Sequence, residues 1–77
     1  MSTLVNGNNY FNDHAFNQMC VFLESGELIH VVIDCDGGSR NNRIQEQYRN
    51  ELTSKYQDRL EVRYLGGYLY SYEYKLI

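Results

Sequence analysis

The sequence predicts a two-layer α+β sandwich in the order helix, strand, helix, strand, strand. Both helices lie on one face of a small mixed sheet, and a tyrosine-rich hairpin ends the chain. Three patterns predict it. Tyr68, Tyr70, Tyr72 and Tyr74 recur at every second position, the period of a β-strand, and Leu28 to Cys35 alternates in the same way. Ile44, Tyr48, Leu52 and Tyr56 recur at every fourth position, one narrow face of a helix. With 77 residues the chain makes one small domain. A domain of this size buries only about 60–65% of the surface its unfolded chain exposes, so a ligand or second subunit would be a natural supplement to its core.

Residues 1–11 are rich in Asn and lack periodicity, which reads as a partly ordered tail before a domain of residues 12–77. The first helix is predicted to start at Asn12. Its side chain can cap the helix, and Phe11 and Phe16 stand at the two positions of a hydrophobic staple. Phe16, Met19, Cys20 and Leu23 then follow on one helical face, and Gly26 can end the helix in a left-handed conformation. The alternative is a ββαββ order, with residues 19–23 as a strand that turns at Ser25 and Gly26.

In the strand over residues 28–35, Ile29, Val31, Ile33 and Cys35 share one face, and Leu28, His30, Val32 and Asp34 share the other. Both faces are mostly apolar, so the strand is either covered on both sides or keeps one side for a partner. A turn at 36–42 leads to the second helix, about 42–57, whose polar residues Gln45, Gln47, Arg49, Asn50 and Lys55 are expected in solvent. The last two strands, about 60–65 and 68–75, form a hairpin around Gly66 and Gly67. A two-residue loop sets Tyr70 opposite Arg63 and mixes polar with aromatic groups. A three-residue loop pairs Tyr64 with Tyr68, Val62 with Tyr70 and Leu60 with Tyr72, leaving Glu61, Arg63, Ser71, Glu73 and Lys75 on the reverse face. The second register is predicted, with Gly67 left-handed in a bulged hairpin. The strands joined through the long helix are parallel with a right-handed crossover, and the final strand is antiparallel.

The totals restrict function more than they assign it. The formal charge is −3, with five acids and one base in residues 1–40 against five acids and six bases in residues 41–77. A nucleic-acid footprint would be a strongly basic face. Base stacking on strand aromatics calls for interleaved Lys and Arg, but Leu69, Ser71, Glu73 and Lys75 carry no net charge together. Nucleic acid is therefore not expected as a partner. Cys20 and Cys35 form no Cys-x-x-Cys pair, and with His14 and His30 they give no zinc-ligand spacing. No cofactor is expected, and free thiols suit a reducing compartment. The N-terminal residues carry no basic, apolar leader pattern, and the longest apolar run is Met19 to Leu23, so a cytosolic protein with no membrane partner is expected.

The tyrosine face is the leading candidate site. Tyr64, Tyr68, Tyr70, Tyr72 and Tyr74 form either a core wall beneath the helices or a recognition surface. Tyr48 and Tyr56 add two hydroxyls to the same layer, and each buried hydroxyl without a partner costs about 1–3 kcal/mol. Exposed rings make good anchors because they are large, stiff and amphipathic. The terminal strand is expected at a free sheet edge, open to dimerisation or to an added strand. Leu28, His30 and Val32 form a second candidate surface.

The other candidate is the turn at Asp34, Cys35, Asp36, Gly37 and Gly38. It lies at the C-terminal end of a strand and before a helix, with Arg40 and Arg43 nearby. A bend after Asp34 would let Asp34 and Asp36 converge on a divalent ion. The apolar strand followed by Asp34-Cys35-Asp36-Gly37 resembles the first motif of haloacid dehalogenase-type phosphatases, which implies Asp34 as nucleophile and Asp36 as acid/base. Only 41 residues follow Asp36, without that family's later acidic pair. Asp36-Gly37-Gly38-Ser39-Arg40-Asn41 resembles the first-strand motif of ribonuclease H, but a helical pattern begins where that fold needs further strands. The same residues are also what any strand-to-helix turn requires for backbone freedom and capping.

The expected function is a non-enzymatic protein-interaction module. A compact inhibitor or adaptor of the kind phages and mobile elements encode, for example against a host defence protein, would suit it, and self-association into a dimer is expected. The alternative is a metal-dependent phosphoryl-transfer or nuclease-like activity at Asp34 and Asp36.

Overall fold

The computed structural model describes residues 2–33, 38–67 and 70–77. The elements are β1 (Thr3–Asn6), α1 (Asp13–Glu24), β2 (Ile29–Val32), α2 (Gly38–Tyr56), one 3-10 turn (Gln57–Arg59), β3 (Leu60–Gly66) and β4 (Ser71–Leu76). The strands form one mixed sheet in the order β1-β2-β4-β3. The α+β class and the two-layer arrangement agree with the sequence pattern, but among the described residues the sheet has four strands rather than three.

The additional strand is β1, in the segment that the sequence reading leaves as a tail. It pairs in parallel with β2, setting Val5 beside Val31, and Val5 is buried. Only four residues pair, too few for alternation to be visible among the asparagines. Those asparagines have a turn role instead: Asn8 adopts a φ of 63°, and its backbone N–H donates to the Asn6 side chain at 2.8 Å. Gly7 follows where the chain passes close to the core. A Cβ there would stand 2.6 Å from Ile33 Cδ1 and 2.9 Å from Tyr48 Cε2.

Residues 13–24 are helical, which removes the alternative strand at 19–23. The expected start is in place: Asn12 has extended backbone, its side chain accepts from the Ala15 N–H at 2.8 Å, and the Phe11 and Phe16 rings lie 5.9 Å apart. At the far end Gly26 has a φ of 85°, its N–H donates to the Leu23 carbonyl, and Glu27 N–H donates to Phe22. This crossed pair of bonds is the Schellman termination.

The second helix begins at Gly38, four residues before the expected start. Its stripe of Ile44, Tyr48, Leu52 and Tyr56 is buried as expected, and Asn41 and Gln45 are buried beside it. Gln45 is a correction to the reading that placed it in solvent. Its amide Nε2 donates to the Val31 carbonyl at 2.9 Å, so a polar residue flanking the stripe docks the helix on β2.

One sheet face carries Val5, Ile29, Val31, Tyr74 and Leu60. Ala15, Met19, Cys20 and Leu23 of α1 and the α2 stripe close over it to form the core. β4 lies between β2 and β3 and is antiparallel to both, so β3 runs in the same direction as β2. This corrects the expectation that the terminal strand is a free edge: the edges of the sheet are β1 and β3.

The hairpin register also differs from the predicted one. Leu60 pairs with Leu76, Val62 with Tyr74 and Tyr64 with Tyr72, and an irregularity at Leu65 precedes the Gly66–Ser71 pair. For residues 60–64 and 72–75 the partition of faces is as predicted, but the offset is four residues and the connection is longer. The observed register sets Glu61 against Lys75 and Arg63 against Glu73. Opposite charges directly across a strand pair are favourable, a contribution that counting apolar positions misses. Gly67 is left-handed as predicted, with a φ of 78°.

Candidate interaction surface

The sheet is wider than its helical cover, and this grades the tyrosines from core to surface. Tyr74, in the middle, is fully buried. Tyr72 is half-buried, and Tyr64 on the edge strand is 53% exposed. The three rings form a continuous layer: Tyr72 and Tyr74 stack with centroids 6.1 Å apart, and Tyr64 tilts against Tyr72 at 4.9 Å. Core wall and surface are thus two ends of one face. Tyr70 is not in the strand; it precedes β4 with a φ of 51°. Tyr68 lies outside the described residues.

The buried hydroxyls are treated in three ways. Tyr48 donates to the Gly7 carbonyl at 2.7 Å and accepts from the Asn12 N–H at 3.2 Å, fastening the β1–α1 loop to α2. Tyr56 donates to Glu24 Oε2 at 2.6 Å and so joins the ends of the two helices. The Tyr74 hydroxyl has no hydrogen-bond partner among the described residues. Desolvation pushes all three phenols above their ordinary pKa, with the Glu24 carboxylate adding to the effect at Tyr56.

Arg49 is the functional candidate that the sequence reading missed. The sequence pattern puts it among the solvated residues of α2, but it borders the stripe one position after Tyr48 and reaches the tyrosine layer. Its Nη1 donates to the Tyr72 hydroxyl at 2.7 Å, the guanidinium lies 5.0 Å from the Tyr72 ring centroid, and Nη2 is 3.6 Å from Glu46. The same side chain thus orients Tyr72 and places a cation beside exposed aromatic surface. Val62, 40% exposed, extends this surface along β3, and Leu65, equally exposed, stands at the irregularity just beyond Tyr64.

Leu28, His30 and Val32 do not join the tyrosines. His30 pairs with Glu73, and Val32 pairs with Asn6, on the sheet face opposite the helices. The β1–β2 half of that face is uncharged and mixed, with Leu4 and Val32 beside Asn6 and His30, while Glu61, Arg63, Glu73 and Lys75 make the β3–β4 half charged. The predicted binding residues therefore fall on two faces.

Asp34, Cys35, Asp36 and Gly37 lie outside the described residues. Of the basic groups assigned to that turn, Arg40 donates to the Asn9 carbonyl at 3.1 Å, and Arg43 is exposed. Among the described residues, no three His, Cys, Asp or Glu side chains converge as metal ligands would, and no helix is long and apolar enough to cross a membrane. The chain matches no family model, no curated protein and no solved structure.

Proposed function

We propose that this chain is a non-enzymatic protein-binding module, and that its contact surface is the uncovered end of the tyrosine layer along β3. One observation carries the reading. An edge strand with no further neighbour among the described residues coincides with exposed Val62, Tyr64 and Leu65 and with an arginine held against Tyr72. Edge strands offer unsatisfied backbone donors and acceptors, and an exposed apolar edge invites pairing with another strand. Tyr and Arg are the side chains that most often anchor such contacts. A role as a compact inhibitor or adaptor of phage or mobile-element type belongs with this reading, as does a cytosolic setting, which the buried free thiol of Cys20 suits.

The test compares capture by the wild-type chain with capture by Y64S, using quantitative mass spectrometry. Tyr64 is mostly exposed, so Y64S keeps the fold, with a melting temperature close to wild type. A protein captured by the wild type and lost with Y64S supports the proposal. Identical captured sets from two folded proteins overturn it. A phosphoryl-transfer activity at Asp34 and Asp36 predicts instead that magnesium raises thermal stability and that D34A/D36A abolishes the shift.

A further inference from the structure

We infer that the partner of the β3 edge is a second copy of this chain, paired antiparallel about Val62. This rests on the proposed role of β3 as a binding edge and names its occupant. In an antiparallel pair related by a two-fold axis normal to the sheet, directly opposed residues share a face, so one residue must lie directly opposite its own copy, with the axis midway between the two. The regular part of β3 is Leu60 to Tyr64, because the ladder becomes irregular between Tyr64 and Gly66. Its midpoint is Val62.

Charge selects the same centre. About Val62, Glu61 faces the partner's Arg63 and Arg63 faces the partner's Glu61, both on the sheet face away from the helices. Centring on Arg63 opposes two arginines, and centring on Glu61 opposes two glutamates, each a like-charge contact. On the helix side, Val62 meets the partner's Val62 and Tyr64 meets the partner's Leu60, covering Val62 and Tyr64, which are otherwise exposed on the edge, while Leu60 is already buried in its own core. The pairing also continues the charges already in place within each copy. Lys75 pairs with Glu61 across β4 and β3, and Arg63 pairs with Glu73, with a 3.7 Å contact between Arg63 Nη1 and Glu73 Oε1. Across the junction the row runs Lys75, Glu61, the partner's Arg63, the partner's Glu73, alternating in sign throughout. A strand serving only as an edge needs no such symmetry.

The test uses E61K and R63E, each alone and mixed, with mass read by light scattering across a concentration series. Wild type is expected to dimerise. The E61K chain carries cations at both positions and the R63E chain anions at both, so each repels itself, and self-association weakens by about tenfold or more. Mixed in equal amounts, they restore opposite charges at both contacts and form a heterodimer. As a second measurement, V62C under mild oxidation is expected to give a dimer linked 62 to 62, whereas L4C gives none. A wild type that stays monomeric throughout overturns the inference, as does a dimer that persists in both single variants or a 62–62 link that does not form. A monomeric wild type whose edge still captures a different protein in a Tyr64-dependent way would overturn the self-pairing alone. Loss of the Tyr64-dependent capture would remove the broader reading.

Discussion

Tyr48 and Tyr74 are both fully buried tyrosines in one core, but the loss of a hydroxyl should have opposite consequences at the two positions. In Y48F the Gly7 carbonyl and the Asn12 N–H lose the group that joins them, at 2.7 Å and 3.2 Å. Two backbone groups are left short of a partner where the β1–α1 loop meets α2, and the expected cost is about 1–3 kcal/mol. In Y74F the hydroxyl removed has no partner among the described residues. Replacing an unpartnered polar group with hydrogen relieves desolvation, so the effect should lie between neutral and about 1 kcal/mol of stabilisation. Urea denaturation followed by circular dichroism measures both, with an unchanged m value required for the comparison. The gap between the variants should be about 1–4 kcal/mol, and each kcal/mol corresponds to about 4–8 °C in melting temperature for a domain this small. If Y74F falls as far as Y48F, the account of how this core satisfies its tyrosines is wrong.

G7A should destabilise by about 1–3 kcal/mol, because its Cβ would overlap Ile33 and Tyr48; thermal melting checks this. N12A removes the cap on the Ala15 N–H and should cost about 1 kcal/mol, with a matching drop in the denaturation midpoint. Tyr48, Tyr56 and Tyr74 all have raised pKa values in the folded state, so above about pH 10 the unfolded chain releases protons that the folded chain keeps. Their stabilising contribution is complete below that pH and is lost as pH rises through the folded values, so the urea midpoint should be flat to about pH 9.5 and then fall.

How far the sequence reveals this fold depends on the range of the interaction involved. The start and stop of α1 are local, since Phe11, Asn12, Phe16 and Gly26 each act within a turn of the helix, and they are read correctly. The α2 stripe and the separation of Tyr64, Tyr72 and Tyr74 from Glu61, Arg63 and Glu73 follow from periodicity alone. What escapes is non-local. Four residues of β1 carry too little pattern to reveal a parallel partner more than twenty positions away. The central position of β4 depends on its pairing with β2, and nothing near the hairpin encodes that. The register is legible only if the ladders of Glu61 with Lys75 and Arg63 with Glu73 are weighed against loop length. The gradation of the tyrosines depends on how far α2 extends over the sheet, and Arg49 enters the site for the same reason. Its neighbour Tyr48 signals the core, while Arg49 itself reads as a surface residue.

The most direct test of the central claim is amide hydrogen exchange along residues 60–64, measured for the dilute chain and again at a concentration or with a partner that gives a complex. Alternate β3 amides that point away from β4 should exchange rapidly in the dilute chain and become protected in the complex, while their neighbours bonded to β4 change little. Protection of those edge amides already in the dilute chain, or none gained in the complex, would contradict a binding role for β3.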